Sequence, residues 1–519
     1  MKVRRSAVAL MAGLLAAGGA TACSSTAQTN STSANTGTFT IGVESDFSLN
    51  PATSDVPLAL YPAYDTLVYQ TASGAFQPDL AVSWKFIGSG NTVFQLTLRK
   101  GLKFTDGSPL TGAAAAASLE AFLKEKGPAA GNAGPVSTVT APSKYVVQIH
   151  YSQPMPEASA LFSLTQGESF GMLIGPKAVS DAGFLNNASD GIGPYKLDPA
   201  ATTPSVQYTY VANPDYFNKA AIKYSKVVVK PIVDATTRLN AVTTGQIDYA
   251  FQMPTTTLAT ARSSHLQVIK GGGQLEQLLL EDRKSGPLSN LKVRQAIASA
   301  LDGAAVIHAV FGGVGTPISS LGVKGFAGYV ASDPNPYPYD LQKAKSLMAS
   351  AGYGHGFALT VLDAGALDPN GVLAEAIASQ LQAIGITVHL NVSNGTLPQF
   401  FGDVTSGKYE TVVFPFFAGD IYTLYNAFLS PGHLGNGYSI NDPVLDQLLL
   451  AAASAPTVQT QDAGLVKVTQ RIDQQAWSAP IALVPDLVLV RSGVEHVPAS
   501  AVLTNVDPFG PFAALAWQG

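Results

Sequence analysis

Cysteines, histidines and charged residues are few in this sequence and do not cluster. Their scarcity argues against disulfide bonds, metal sites and nucleic-acid binding. Cys23 is the only cysteine, so it forms no internal disulfide bond and supplies too few ligands for a structural zinc site. The seven histidines are scattered without a short-spaced pair, and we therefore expect no metal site and no cofactor. Charged residues make up only 13% of the chain and form no basic stripe, which argues against nucleic acid as a partner.

The N-terminal residues have the layout of a secretory signal. A basic start precedes an apolar run over Ala7–Ala17, and no later apolar run is long enough to span a membrane. Small residues follow and end in the sequence ATAC, which resembles the bacterial lipobox with Ala in place of the usual Leu. We predict a signal peptide over residues 1–22 and lipidation of Cys23. An ordinary signal peptide, cut before Cys23, is the alternative.

The residues after this signal divide into a tether and a large folded part. Residues 23–36 are uncharged and rich in Ser, Thr and Asn, a composition that buries too little apolar surface to fold, so they predict a flexible tether. About 480 residues then remain, more than one hydrophobic core accommodates, and we expect two or three compact lobes.

The first half of the chain is rich in patterns typical of strands. Phe39–Asp46 and Tyr145–Pro154 predict strands, and Ala113–Lys124 predicts a helix. The alternating apolar residues Phe94, Leu96 and Leu98, with turn signals after them, predict that residues 93–112 form a hairpin.

The second half alternates helices and strands. Asp302 and Asp340 each stand where a residue caps the N-terminus of an apolar-periodic helix, and a further helix is predicted over Val372–Ile384. Strands are predicted over Phe357–Leu362 and Ile386–Val392, with the apolar residues of the second strand facing inward. Strand, helix and strand in this order indicate an α/β lobe. Between the halves, Gly271, Gly272 and Gly273 form either a simple loop or a hinge.

Two motifs associated with enzyme chemistry are present but lack the context that they need. Gly167–Gly171 matches the G-x-S-x-G nucleophile elbow around Ser169, but the nearby Gly175-Pro176 interrupts the helix that should follow. Gly402–Tyr409 nearly matches a phosphate-binding loop, yet it lacks the Ser or Thr hydroxyl and precedes a strand pattern. We therefore expect no enzymatic activity, and a serine hydrolase using Ser169 is kept only as an alternative.

Several segments, taken together and in order, resemble the bacterial extracellular solute-binding proteins of family 5, the dipeptide-, oligopeptide- and nickel-binding components of ABC importers. The similarity covers about residues 39 to 450 and is highly specific because of the order of its motifs. The segments that carry it are FQPDLAVSWKF (76–86), FQLTLRKGLKFTDGSPLT (94–111), GIGPYKL (191–197), NPDYF (213–217), DATTRLNAVTTGQIDYA (234–250), NLKVRQAIASALDGAAVIHAVFGGVGTP (290–317) and YDLQKAKSLMASAGY (339–353).

The resemblance implies an α/β fold like that of class II periplasmic binding proteins, with three lobes, two of them enclosing a ligand cleft. It implies a discontinuous domain I over residues 37–60, 190–270 and 480–519. Domain II would cover residues 61–189 and domain III residues 271–479, with the three glycines near one crossover between I and III.

The resemblance also implies residues for the ligand site. In peptide-binding members an Asp after a strand takes the ligand's amino group, and Asp420 in PFFAGDIYTLYNAF matches it. Phe416, Phe417 and Tyr422 would wall an apolar pocket, although Phe417 stands where the family has Trp. A loop cap is the alternative for Asp420, and packing in the core at a strand end is the alternative for the two phenylalanines. Arg294 lies in a helix and is expected to be structural, so a ligand carboxylate lacks an obvious partner.

We expect a substrate-binding lipoprotein that captures a solute, most plausibly a peptide, by closing its cleft. It would deliver that solute to ABC permease subunits served by a cytoplasmic ATPase, as a monomer held by its lipid at the outer face of the cell membrane. Nickel chelates, sugars and opines remain alternative ligands. A ligand-sensing lipoprotein without a transport role is a further alternative.

Overall fold

The structure, a computed structural model, describes residues 37–54, 56–70, 75–127, 130, 133–156, 170–181, 183–280, 285–365, 368, 371–393, 397–429 and 440–494. The signal peptide, the tether, Cys23, Ser169 and residues 495–519 lie outside these ranges. The strands within them are β1 (Thr38–Val43), β2 (Val68–Gln70), β3 (Phe76–Pro78), β4 (Ala81–Phe86), β5 (Val93–Leu98), β6 (Val136–Ser143), β7 (Val146–Tyr151), β8 (Tyr195–Leu197), β9 (Tyr208–Ala212), β10 (Lys226–Pro231), β11 (Tyr249–Met253), β12 (Gln267–Lys270), β13 (Gln274–Leu279), β14 (Thr316–Pro317), β15 (Phe357–Asp363), β16 (Ile386–Val392), β17 (Thr411–Val413), β18 (Phe416–Phe417), β19 (Ser478–Val484) and β20 (Leu487–Val490).

The α-helices in the same ranges are α1 (Gly112–Glu125), α2 (Pro176–Ser180), α3 (Ala235–Thr243), α4 (Leu258–Ser263), α5 (Leu291–Ala300), α6 (Gly303–Val310), α7 (Leu341–Ser350), α8 (Val372–Gln382), α9 (Leu397–Thr405), α10 (Ile421–Phe428), α11 (Pro443–Ala453) and α12 (Val458–Gln475). The longest of them are α1, with 14 residues, and α12, with 18.

Two large mixed sheets organise these elements. In the first sheet the strand order is β12-β20-β11-β1-β10-β9-β8, and β1 runs parallel to both β10 and β11. In the second sheet the order is β14-β19-β13-β17-β15-β16, with β15 parallel to both β16 and β17 and with β18 added to β13. A separate four-stranded antiparallel sheet has the order β4-β5-β7-β6. The predicted α/β class is confirmed.

Each large sheet has apolar clusters on both faces. The largest cluster lies between one face of the first sheet and the four-stranded sheet, and it includes Ile41 and Leu96. A smaller cluster with α3 and α4 covers the other face of the first sheet. On the second sheet, one cluster packs α5, α7 and α8, and another packs α10, α11 and α12. The four-stranded sheet is therefore attached to the first large sheet by a shared core, and α10–α12 are attached to the second.

The chain passes between the two large sheets twice within the described residues. It leaves β12 through Gly271–Gly273 to enter β13, and it returns from β19 through Pro485 and Asp486 to β20. The two passages lie side by side, because the Gly271 N–H donates to the carbonyl oxygen of Asp486 at 2.7 Å. The second passage thus begins after Val484, and the division into three domains stays a prediction.

Most of the local predictions are confirmed, and one is wrong. The Asp302 and Asp340 side chains accept the N–H groups of Ala305 at 3.0 Å and Lys343 at 2.9 Å, so each caps its helix as the sequence indicates. The hairpin over residues 93–112 is not formed as predicted. Strand β5 pairs with β4 and β7 rather than with the residues that follow it, although both predicted turns, at Lys100-Gly101 and Asp106-Gly107, are present. Phe94, Leu96 and Leu98 are buried in the core that the four-stranded sheet shares with the first large sheet.

A pair of buried aspartates joins the end of β15 to the start of α8. Asp368 accepts backbone N–H groups of the first turn of α8, from Leu373 at 3.1 Å and from Ala374 at 3.0 Å. Asp363 is fully buried beside it. Burial raises the pKa of Asp363 to about 8, and the negative charge of Asp368 adds to the effect.

Asp363 should therefore make the protein less stable as the pH rises. The folded chain keeps a proton that an unfolded chain releases near the ordinary pKa of 3.8, so this contribution to stability is largest below that pH and is lost toward the raised value. We expect the Asp363→Asn variant to lose less melting temperature than the parent between pH 4.5 and pH 7.5, measured by calorimetry. Glu375→Gln, an exposed change on α8, is the control and should follow the parent. Parallel curves for parent and Asp363→Asn would contradict the prediction.

Candidate functional site

Acidic groups gather where the parallel strands of both large sheets end; Glu276 and Asp363 are buried, and Glu44 and Asp486 are half-buried. Glu44 follows the last residue of β1, and Asp363 is the last residue of β15. Asp486 lies in the second passage between the sheets, and Glu276 lies in β13, which begins directly after the first passage. In open α/β sheets, ligands bind beyond the carboxyl ends of the strands, so this region is the candidate site.

The carboxyl groups from the two sheets act on one another electrostatically. Burial, together with the negative charge of Glu44, raises the pKa of Asp486 to about 7, although the Gln274 side chain donates to Asp486 Oδ1 at 3.4 Å. Burial also raises the pKa of Glu276 to about 8, and the charges of Asp368 and Asp486 add to the effect. Residues of the first sheet, the passage and the second sheet therefore meet in one place.

Arg238 brings a single positive charge to the first-sheet side of this region. It is buried on α3 and donates to backbone carbonyl oxygens of Phe251 at 3.1 Å, Gln252 at 3.0 Å and Val233 at 3.1 Å. Its charge lowers the pKa of Glu44, but burial is the larger effect and leaves that pKa raised. Arg238 thus holds the ends of β10 and β11 in place, and its positive charge only partly offsets the effect of burial on Glu44.

Positive charge from the described residues only partly balances these acidic groups. The pKa of Glu276 is about 8, and a cation placed near its carboxyl group would favour the ionised form. Among the described residues, no group of three or more acidic, histidine or cysteine side chains is arranged to hold a metal ion.

Phe416 and Phe417 lie beside the first passage between the sheets. As β18 they pair with Leu275 and Gln274, the first residues of β13. The Ala418 N–H donates to the carbonyl oxygen of Gly273 at 3.1 Å, which holds this strand against the passage. Phe416 is half-buried against the core of the second sheet, whereas Phe417 is 39% exposed. Phe417 is thus an accessible aromatic surface next to the acidic groups.

Asp420 caps α10 and is half-buried. Its Oδ1 accepts the Thr423 N–H at 3.0 Å, and its Oδ2 accepts the Thr423 hydroxyl at 3.0 Å. A carboxylate has about four acceptor sites, so two remain after these bonds. Capping therefore accounts for the position of Asp420 and leaves room for a contact with a ligand, which stays a prediction.

Tyr422 lies between two cores rather than on a free surface. Its hydroxyl group donates to Met155 Sδ at 3.2 Å, and its ring packs against both the largest cluster and the cluster of α10–α12. A role of Tyr422 in the wall of a pocket also stays a prediction.

Two of the three glycines of the first passage are constrained, one by a hydrogen bond and one by its backbone conformation and lack of space. Gly271 is hydrogen-bonded to the second passage, as described above, and Gly273 has a φ of +97°. A Cβ at Gly273 would lie 2.4 Å from the carbonyl oxygen of Val484, so no other residue fits there without movement. Gly271, Gly272 and Gly273 lie at the junction that a hinge would need, and hinge motion itself is a prediction.

The other residues considered from the sequence are placed as follows. Arg294 is buried and donates to the backbone carbonyls of Gln475 at 2.9 Å and Leu288 at 2.8 Å, which agrees with the expected structural role. Ser169 lies outside the described residues.

Sequence reasoning missed the acidic groups of the site. Glu44, Asp363 and Asp486 could each have been recognised as an acidic residue at or just after the end of an apolar strand. Glu276 was visible as an acid within the otherwise apolar stretch LEQLLL. Nothing in the sequence shows that these residues come together, since the strands that carry them are far apart along the chain.

None of the helices that the structure describes is long and apolar enough to cross a lipid bilayer.

The comparison with sequences of known proteins gives one family. Residues 75–436 match the model of the bacterial extracellular solute-binding proteins, family 5 Middle. The glutathione-binding protein GsiB of Salmonella choleraesuis strain SC-B67 is 26% identical over 353 residues, which are 64% of this chain and 66% of that protein. The chain thus spans slightly less than two thirds of the length of this curated relative.

Solved structures show the same fold. The periplasmic binding protein AgaA of A. tumefaciens R10, in complex with agropinic acid, superimposes with a TM-score of 0.76 at 24% identity, over 91% of this chain and 97% of that one. The periplasmic binding protein DppA of Helicobacter pylori, in complex with the peptide STSA, gives a TM-score of 0.73 at 22% identity over the same shares. The fold class expected from the sequence is confirmed. The chain belongs to family 5 of the bacterial extracellular solute-binding proteins.

Proposed function

We propose that this chain is the solute-binding component of an ABC importer. It captures a peptide-like solute outside the cytoplasm, between its two large sheets, and presents it to a membrane permease. The single observation that carries the proposal is the double passage between the sheets, with acidic groups from both sheets gathered beside it. The family provides the context, since its members are solute-binding proteins rather than enzymes.

The double passage supports capture by closure of a cleft. Two short connections that lie side by side let two rigid bodies rotate while each keeps its own core. A ligand that contacts both sheets then binds the closed form more tightly than the open form and shifts the population toward it. The permease would recognise the closed shape.

The chemistry of the site favours a solute with a positively charged amino group. Glu276 is buried and Asp486 is half-buried, and neither has a cation in contact among the described residues. Asp420 offers further acceptor sites nearby in β18–α10. Charge-assisted hydrogen bonds to an ammonium group would offset the cost of burying these acids. Phe417 would contact an apolar part of the solute. Glutathione and a tetrapeptide, which the names of related proteins mention, both carry such a group.

The finer features of this proposal are the lipid anchor and the domains. Lipidation of Cys23 would hold the protein at the outer face of the cell membrane and raise its effective concentration near the permease. Domain I would contain the first large sheet, domain II the four-stranded sheet and domain III the second large sheet.

The direct test is to identify what the protein retains. We expect native mass spectrometry of the chain, purified from a bacterial envelope without denaturation, to show a bound amine-containing solute of peptide size. Adding that solute at 100 times its dissociation constant to the emptied protein should stabilise it by about 2.7 kcal/mol. Failure of the recovered solute, glutathione and a tetrapeptide library to raise the melting temperature would contradict the proposal.

The Asp420→Asn variant separates capping from ligand binding. Asn caps helices about as well as Asp, so the melting temperature of the unliganded protein should not change. The negative charge is lost, and the dissociation constant for an amine-bearing peptide should rise about tenfold or more in calorimetric titration, since hydrogen bonds to charged groups contribute roughly 1.5–3 kcal/mol. Asp340→Asn makes the same change at the cap of α7 and should leave affinity unchanged. Unchanged affinity in Asp420→Asn would remove Asp420 from the site.

A further inference from the structure

A small polar contact joins the four-stranded sheet to the helices of the second large sheet. Residues 87–92 connect β4 to β5, and Asn91 in this connection has a φ of +51°, which asparagine tolerates better than most residues. Its Nδ2 donates to the carbonyl oxygens of Ala453 at 2.7 Å and Ala455 at 2.8 Å, at the C-terminal end of α11. The last carbonyl groups of a helix lack partners within it, so Asn91 satisfies one that α11 leaves open at Ala453. The Ala455 carbonyl oxygen, two residues past the helix, also accepts from Gln461 Nε2 at 3.0 Å.

A second contact lies next to the first and is linked to it. The Met155 N–H donates to the backbone oxygen of Asn91 at 3.0 Å, and Met155 Sδ accepts from the Tyr422 hydroxyl at 3.2 Å. Met155 is buried in the cluster that the four-stranded sheet shares with the first large sheet. Tyr422 lies on α10, which packs on the second large sheet. The two contacts therefore bridge the same pair of bodies.

We propose that these contacts, from Asn91 to Ala453 and Ala455 and from Met155 to Tyr422, form a latch that stabilises the closed form. The proposal rests on the proposed hinge. The four-stranded sheet moves with the first large sheet because they share a core, and α10 and α11 move with the second. A rotation about the double passage that opens the space between the large sheets also separates Asn91 from the end of α11.

The latch sets how much of the protein is closed before any solute binds. Asn91 reaches its acceptors from a half-exposed position, so water replaces them when the latch opens, and the contact is weak and reversible. The apparent dissociation constant equals the intrinsic one divided by the closed fraction. Weakening the latch therefore weakens binding of every solute by the same factor, about three- to tenfold, without touching the ligand.

The Asn91→Asp variant tests the latch. Aspartate also tolerates a positive φ, but it places a carboxylate against two carbonyl oxygens and so reverses the interaction. We expect small-angle X-ray scattering of the unliganded full chain to show a larger radius of gyration than in the parent. The dissociation constants for glutathione and for the tetrapeptide Ser-Thr-Ser-Ala, where they bind, should rise by a common factor through faster release.

The control is Gln148→Glu, which makes the same change of amide to carboxylate on the same sheet. Gln148 donates to Gln95 at 2.8 Å within the four-stranded sheet, so this variant should scatter like the parent. An unchanged radius of gyration in Asn91→Asp would overturn the latch, as would a loss of affinity confined to one of the two solutes. Scattering of the unliganded protein needs no solute. The experiment can therefore contradict the latch while the proposed transport function stands, and a failure to bind any solute would contradict the transport function without testing the latch.

Discussion

The two passages between the large sheets lie in contact, and the rest of the architecture depends on this constraint. Gly271 and Asp486 share a backbone hydrogen bond, and Gly273 has no space for a side chain against Val484. Each sheet therefore keeps its own cores on both faces, while the connection between the sheets stays narrow. Strand β18 lies against the same passage, so a movement of one sheet relative to the other would displace Phe416 and Phe417.

The acidic groups beside this junction are costly for an empty protein. Glu276 is buried and Asp486 is half-buried, and their raised pKa values reflect the free energy of removing their charge from water. A protein selected for stability alone would place apolar residues there, and buried groups of this kind are common where function requires them. In the proposed function, a cation delivered by a solute would offset this cost, so the desolvation that destabilises the empty site would strengthen binding in the filled one.

The sequence predicts local structure here far better than it predicts the site. Asp302 and Asp340 were recognisable as helix caps, and the alternation over Ile386–Val392 was recognisable as a strand, because those signals involve neighbouring residues only. The partner of β5 was missed, since it is fixed by long-range packing and not by the turn that follows the strand. Glu44 and Asp486 were missed for the same reason, as the proximity of their strands arises only when the first sheet forms. The family resemblance predicted the fold and singled out Asp420 as a ligand residue. The structure adds that Asp420 caps α10.

The central claim is that the two large sheets approach each other around a solute. The most direct measurement is the distance between spin labels at the exposed positions Lys196 in β8 and Thr387 in β16, in a chain whose Cys23 is replaced by Ser. Pulsed electron resonance should give a broad distance distribution for the emptied protein and a shorter, narrower one after the solute recovered from the native envelope is added. An identical distribution with and without that solute, at concentrations that saturate binding, would contradict the account.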